Sequence, residues 1–165
     1  MQNNSNKLTP GGFLKTISFL HIGISATPVV LGALFYFRAS KMELTLTDTD
    51  DMFLAIVPMV ALAGIFLGDF IFKKMTGSLP KDMDLRTKLN RFQSASILKY
   101  ALLEGAALFC IVIFANTANL TYLIIAVSLI FYLFFQKPTK QKIENVLDLR
   151  GEEKSKFNRT NEPLE

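Results

Sequence analysis

The chain has no tryptophan, one cysteine and one histidine among 165 residues. A single Cys110 rules out an intrachain disulfide. With His21 it leaves too few soft or borderline ligands for a structural zinc site. A CxxC pair, a haem-attachment motif and a bis-histidine haem pair are missing as well. No metal and no cofactor is expected on these grounds. Nor does any nucleophile–base pair or phosphate-cradling loop suggest an enzyme. Charge is scarce where apolar residues are dense. Charged residues make up 19% of the chain, yet mean hydropathy is positive at +0.32. The charges sit between long apolar runs rather than at a period of 3.6 within them, as they would on a soluble amphipathic helix.

What is present is four apolar runs. Residues 16–37 form the first. It is too long for the apolar core of a signal peptide and is followed by Arg38 and Lys41, so it reads as a retained span. Residues 52–72, 95–115 and 120–135 form the others. About 20 apolar residues cross a bilayer core, so the fourth run, at 16 residues, needs flanking residues or local thinning. The fold expected is an all-α membrane protein, with four transmembrane helices in two hairpins and helix 3 extended into the cytoplasm. Leu85, Leu89 and Phe92 repeat at i, i+4 and i+7 ahead of the third span. Helix 3 should therefore start near Asp84 and rest that face on the membrane surface. Residues 1–15 read as a mobile cytoplasmic leader, 16–136 as the transmembrane domain and 137–165 as a cytoplasmic tail. A short amphipathic helix is expected over 139–149, and 150–165 is polar enough to be disordered.

Orientation follows from cation placement. Lys and Arg number two in residues 1–15, two in 38–51, six in 73–94, none in 116–119 and seven after 136. Both termini and the middle loop should be cytoplasmic, in an inner-membrane protein. The net charge of +4 is explained by this topology, so no nucleic-acid partner is expected. The loop 38–51 carries Glu43, Asp48, Asp50 and Asp51. Its DTDD run is half of a calcium loop without the glycine and the bidentate Glu, so Thr49 or Asp50 is read as a helix cap.

Four ionisable residues fall within the spans: His21, Asp69, Lys99 and Glu104. On insertion scales a carboxylate as deep as Glu104 costs roughly 2.5–3.5 kcal/mol unless it is neutral or paired. Lys99 can extend toward the cytoplasm, because side chains lean to the helix N-terminus. Asp69 has Lys73 at i+4 as a simple partner. Glu104 has Tyr100 at i−4, and it could bond Tyr100, His21 or Ser25 and hold the bundle in register. Alternatively it could be a titrating proton or ion site. His21, Ser25, Pro28 and Gly32 share one stripe, which should face other helices. Gly64 and Gly68 form a GxxxG spacing that permits close helix approach, within the chain or in a homo-oligomer.

The segment ALLEGAALFCIVIFA, residues 101–115, resembles the carboxylate helix of rotary ATPase proteolipids, where a buried Glu precedes small and aromatic residues. That resemblance implies a titrating Glu104. The chain departs from it in a first span rich in Leu, Phe and Ile, and in an acid on the third span. As a whole, the pattern resembles a family of small four-span bacterial membrane proteins. Its recurring pieces are YALLEGAAL, a short uncharged turn, and KPT followed by KIENVLDL. This implies a fold and a location and brings no activity. The function expected is a small structural or accessory subunit in the lipid bilayer, partnered by a membrane complex or by further copies of itself. The alternative is a proton- or ion-coupled transport element using Glu104.

Overall fold

The computed structural model describes residues 8–48, 50–77, 79–80 and 82–164. Among them the chain is all-helical, with six helices: α1 (Pro10–Arg38), α2 (Phe53–Thr76), α3 (Leu85–Thr117), α4 (Leu120–Phe135), α5 (Lys140–Val146) and α6 (Gly151–Asn158). The helices α1, α2 and α3 are each long and apolar enough to cross a membrane. The fourth candidate is α4 joined to α5, which turns away from it by 81°. The protein leaves large apolar side chains outside, including Phe37 at 83% and Phe135 at 82% exposure. Water-soluble monomers rarely expose so much contiguous apolar surface. A hydrocarbon surrounding accounts for it.

Polar side chains set the helix ends. Thr9 caps α1 by accepting from Gly12 N at 3.0 Å, with Pro10 in the first turn. The segment expected to be a mobile leader is therefore helical from Pro10, and residues 1–7 lie outside the described ones. Asp84 caps α3 by accepting from Thr87 N at 2.9 Å. This bond is the main reason the Asp84 carboxyl lies below the usual carboxylate range. Ahead of α2, Asp51 accepts from Phe53 N at 2.9 Å and Asp48 from Asp50 N at 3.0 Å. The capping expected of Thr49 or Asp50 is thus done by Asp51, and Thr49 itself lies outside the described residues. Between α3 and α4, Ala118 takes a left-handed turn (φ 53°) and Asn119 caps α4. Asn119 also exchanges bonds with the Thr45 backbone at 3.2 and 3.0 Å, tying the first loop to this turn.

Helix α3 is the centre of the bundle and packs against α1, α2 and α4, while α1 and α2 barely meet. On one side Gly32 of α1 lies against Ile111, and the His21 and Tyr100 rings meet edge to face at 4.8 Å. On the other side Gly64 and Gly68 of α2 press on α3. A Cβ built at Gly64 would stand 2.8 Å from the Ala106 Cβ and 3.2 Å from the Leu102 carbonyl oxygen. The GxxxG strip is therefore used within the chain.

Two cores result. The larger is apolar and lies between the long helices, around Val57, Leu103, Cys110, Phe114, Tyr122 and Leu129. The smaller closes the end that carries both termini. It gathers Phe13 and Ile17 of α1, Leu89 and Phe92 of α3, Ile143 of α5 and Phe157 of α6. The Leu85, Leu89 and Phe92 face is thus buried under α5 and α6 rather than resting on a membrane surface. Of the segment 150–165, expected to be disordered, residues 150–164 form α6 and a return strap. Its composition is polar, but Phe157 and Leu164 seven residues apart both insert into this core. Glu153 pairs with the buried Lys88 at 2.6 Å. Backbone bonds from Gly11 N to Thr160 O (2.9 Å) and from Leu164 N to Leu8 O (2.8 Å) clasp the two termini together.

Candidate functional site

His21, Tyr100, Lys99 and Asp69 converge on one feature, the C-terminal end of α4. Sixteen residues rise only about 24 Å, less than the roughly 30 Å of a bilayer core. The last carbonyls of any helix lack intrahelical partners, and in an apolar surrounding each orphan is expensive. Three other helices supply donors. His21 Nε2 lies 2.9 Å from the Leu133 carbonyl oxygen. A carbonyl only accepts, so Nε2 carries the proton. Tyr100 Oη donates to the Gln136 carbonyl at 3.0 Å. Lys142 Nζ of α5 lies 3.4 Å from the same carbonyl and 2.9 Å from the Gln136 side-chain oxygen Oε1. Cations at a helix C-terminus are favoured by its dipole.

Lys99 joins this group from α3. Its ammonium bonds Gln136 Oε1 at 2.9 Å and pairs with Asp69 Oδ1 of α2 at 2.5 Å. It also stands 5.3 Å from the Phe72 ring centroid and 5.9 Å from that of Tyr132. Tyr132 donates to the other Asp69 oxygen at 3.0 Å. One side-chain oxygen, Gln136 Oε1, therefore receives two lysines.

Four of the five polar residues singled out from sequence meet here: His21, Tyr100, Lys99 and Asp69. Their pairing differs from the expected one. Asp69 takes Lys99 rather than Lys73, because Gly68 brings the two backbones close enough for a lysine on the next helix to reach it; a Cβ at Gly68 would lie 3.4 Å from Lys99 Cγ. Lys99 does lean toward its helix N-terminus, but it ends in this pair, with its side chain 8% exposed, rather than in solvent. Pro28 and Gly32 are buried along the His21 stripe, and Ser25 Oγ bonds the His21 carbonyl at 2.7 Å.

Glu104 stands apart. The three donors expected for it are all directed elsewhere: Tyr100 to Gln136, His21 to Leu133 and Ser25 to His21. Among the described residues it makes no side-chain hydrogen bond or ion pair. It is half-buried. It lies at the edge of an α3 face that carries the exposed Leu98, Ala101, Gly105 and Val112. A Cβ at Gly105 would meet nothing within 4 Å.

Gln136, Tyr132 and Lys142 escaped the sequence reading, which took Gln136 as a span boundary and Lys142 as a topology charge. The signal was the length of the fourth run. A span of 16 residues ends early, so donors for its last carbonyls had to come from other helices. Comparison of the chain with protein-family models, with curated proteins and with solved structures finds no match.

Proposed function

We propose that this chain is a four-span protein of the bacterial inner membrane, with both termini cytoplasmic, that serves as a small structural or accessory subunit of a membrane complex. One observation carries the reading: Glu104, without a partner among the described residues of its own chain, borders the open face of the central helix α3. A carboxylate at that depth costs roughly 2.5–3.5 kcal/mol while charged and unpaired. A neighbouring transmembrane helix that brings a donor to the Ala101 and Gly105 face removes that cost. His21 and Lys99 already bond the end of α4 and Asp69 pairs with Lys99, which suits a rigid scaffold. The distribution of Lys and Arg supports the orientation.

The orientation is tested by labelling single introduced cysteines from outside, since Cys110 is buried. One at the exposed Ser40 should react and one at the exposed Lys156 should not; the reverse pattern refutes it. The role is tested by mild-detergent purification with a photo-crosslinker at Ala101. A stoichiometric partner, lost in Glu104→Ala, is expected.

The same unpaired carboxylate supports a second reading, a proton- or ion-coupled transport element. Against it, the larger core around Glu104 is apolar toward the end that holds the first loop and Asn119. The discriminating change is Glu104→Gln, which keeps a hydrogen-bonding group and removes the proton site. A Glu104→Gln variant that stays folded and functional excludes transport. One that stays folded and loses function, together with a proton leak in vesicles specific to the unaltered chain, establishes it.

A further inference from the structure

Beside the α4 cap lies a cavity of about 480 Å³, lined by Asp69, Lys73, Thr76, Lys99, Tyr132 and Gln136 among others. Its charges do not balance. Lys73 and Lys99 line it, and Lys142 shares the Gln136 Oε1 oxygen with Lys99. Asp69 is the carboxylate facing them, and it is taken by Lys99 and Tyr132. The ends of α2 and α4 each add about half a negative charge. Their carbonyls are already engaged: Phe72 O by Thr76 Oγ1 at 2.8 Å, Lys73 O by Gly77 N at 2.8 Å, and Leu133 and Gln136 by the donors described above. Three lysines against one aspartate and two helix ends leave about one positive charge unanswered. Phe72 and Val146 also line the cavity, and the chain neighbours of Asp69 and Gln136, Phe70 and Phe135, are 62% and 82% exposed.

The geometry points to a binding site for the phosphodiester of one anionic phospholipid, held by Lys73 and Lys99 with Lys142 behind, its acyl chains running along the exposed Phe70 and Phe135 side. A single phosphodiester carries the one negative charge the cavity lacks. The C-terminal ends of α2 and α4, which line it, put the cavity at headgroup height on the membrane reading. A water-borne phosphate would make no use of these exposed apolar side chains, so the lipid is the occupant.

This inference rests on the membrane reading above. The full-length protein is reconstituted in nanodiscs of phosphatidylcholine containing one fifth phosphatidylglycerol, then released, and its retained lipid is counted by native mass spectrometry. One retained phosphatidylglycerol per chain is expected, enriched over phosphatidylcholine. Lys73→Gln and Lys142→Gln should each lower that enrichment about fivefold, the effect of one basic residue near a membrane surface. Lys41→Gln, in the loop at the other end of the bundle, should leave it unchanged. Lys73 is exposed, so its variant keeps the test valid if loss of the Lys142 cap disturbs folding. Equal retention of the two lipids, or enrichment indifferent to Lys73, overturns the proposal. Displacement of the lipid by millimolar inorganic phosphate would assign the site to free phosphate and overturn the lipid assignment. Failure of the chain to insert in discs of either composition would refute the membrane reading and this site with it, whereas insertion without lipid preference refutes the site alone.

Discussion

The Lys99–Asp69 pair predicts an asymmetry between its two halves. At 2.5 Å and an effective dielectric of about 20, the gross attraction is about 7 kcal/mol. Desolvation offsets most of that, so what matters is what each deletion leaves behind. Asp69→Asn strands the Lys99 ammonium, whose side chain is 8% exposed, with the Gln136 oxygen and two aromatic faces. Removing one partner of a buried pair costs about 3–5 kcal/mol; the remaining contacts lower this to about 2–4 kcal/mol. Lys99→Met strands Asp69, whose side chain is 33% exposed and still bonded by Tyr132. Solvent screens it, and the cost should be about 1 kcal/mol. The double variant should resemble Lys99→Met alone, a coupling of about 2–4 kcal/mol, the whole cost of Asp69→Asn. Cys110 is the sole cysteine and is fully buried, so a thiol-reactive fluorophore reports its exposure on heating in detergent. For a chain of this size 1 kcal/mol shifts Tm by about 2–4 °C. The expected drop is therefore about 10 °C for Asp69→Asn and about 3 °C for Lys99→Met. Equal drops, with the double variant at their sum, would refute the argument that the pair exists to satisfy Lys99.

Gly64→Ala should lose about 1–3 kcal/mol, because its methyl would stand 2.8 Å from Ala106 Cβ; Gly68→Ala should lose much less, and the same thermal assay separates them. The Asp84 carboxyl titrates below its ordinary value of 3.8 because it accepts from Thr87 N. A depressed folded value means that its stabilisation is present above pH 3.8 and lost as pH falls through the lower folded value. Amide exchange at Thr87 should accelerate in that range, and an Asp84→Ala variant should show no such pH step. Deleting 150–165 removes Phe157 and Leu164 from the smaller core and leaves Lys88 without Glu153. Limited proteolysis should then cut near the start of α3, whereas an unchanged digestion pattern would show that the strap contributes nothing there.

Length and hydropathy alone determined three spans and the apolar run of a fourth, because a helix that crosses hydrocarbon must satisfy its own backbone and so announces itself as a long uncharged stretch. The start of α3 at Asp84, the stripe of His21, Ser25, Pro28 and Gly32, and the placement of Asp69 and Lys99 within apolar helices were legible for the same local reason: each depends on residues within a few turns of one helix. Which groups pair was not legible. Lys99 meets Asp69 because two glycines on α2 let that helix close on α3, a distance no single-helix pattern encodes. Tyr100 and His21 turn to α4 instead of Glu104 because α4 is short and leaves carbonyls bare beside them. The order of residues 150–164 escaped for a related reason. Two apolar anchors in a polar segment are too few to fold it alone, and enough once α1, α3 and α5 present a pocket to receive them. Composition describes what a segment can bury by itself; the tertiary structure decided what its neighbours had left unsatisfied.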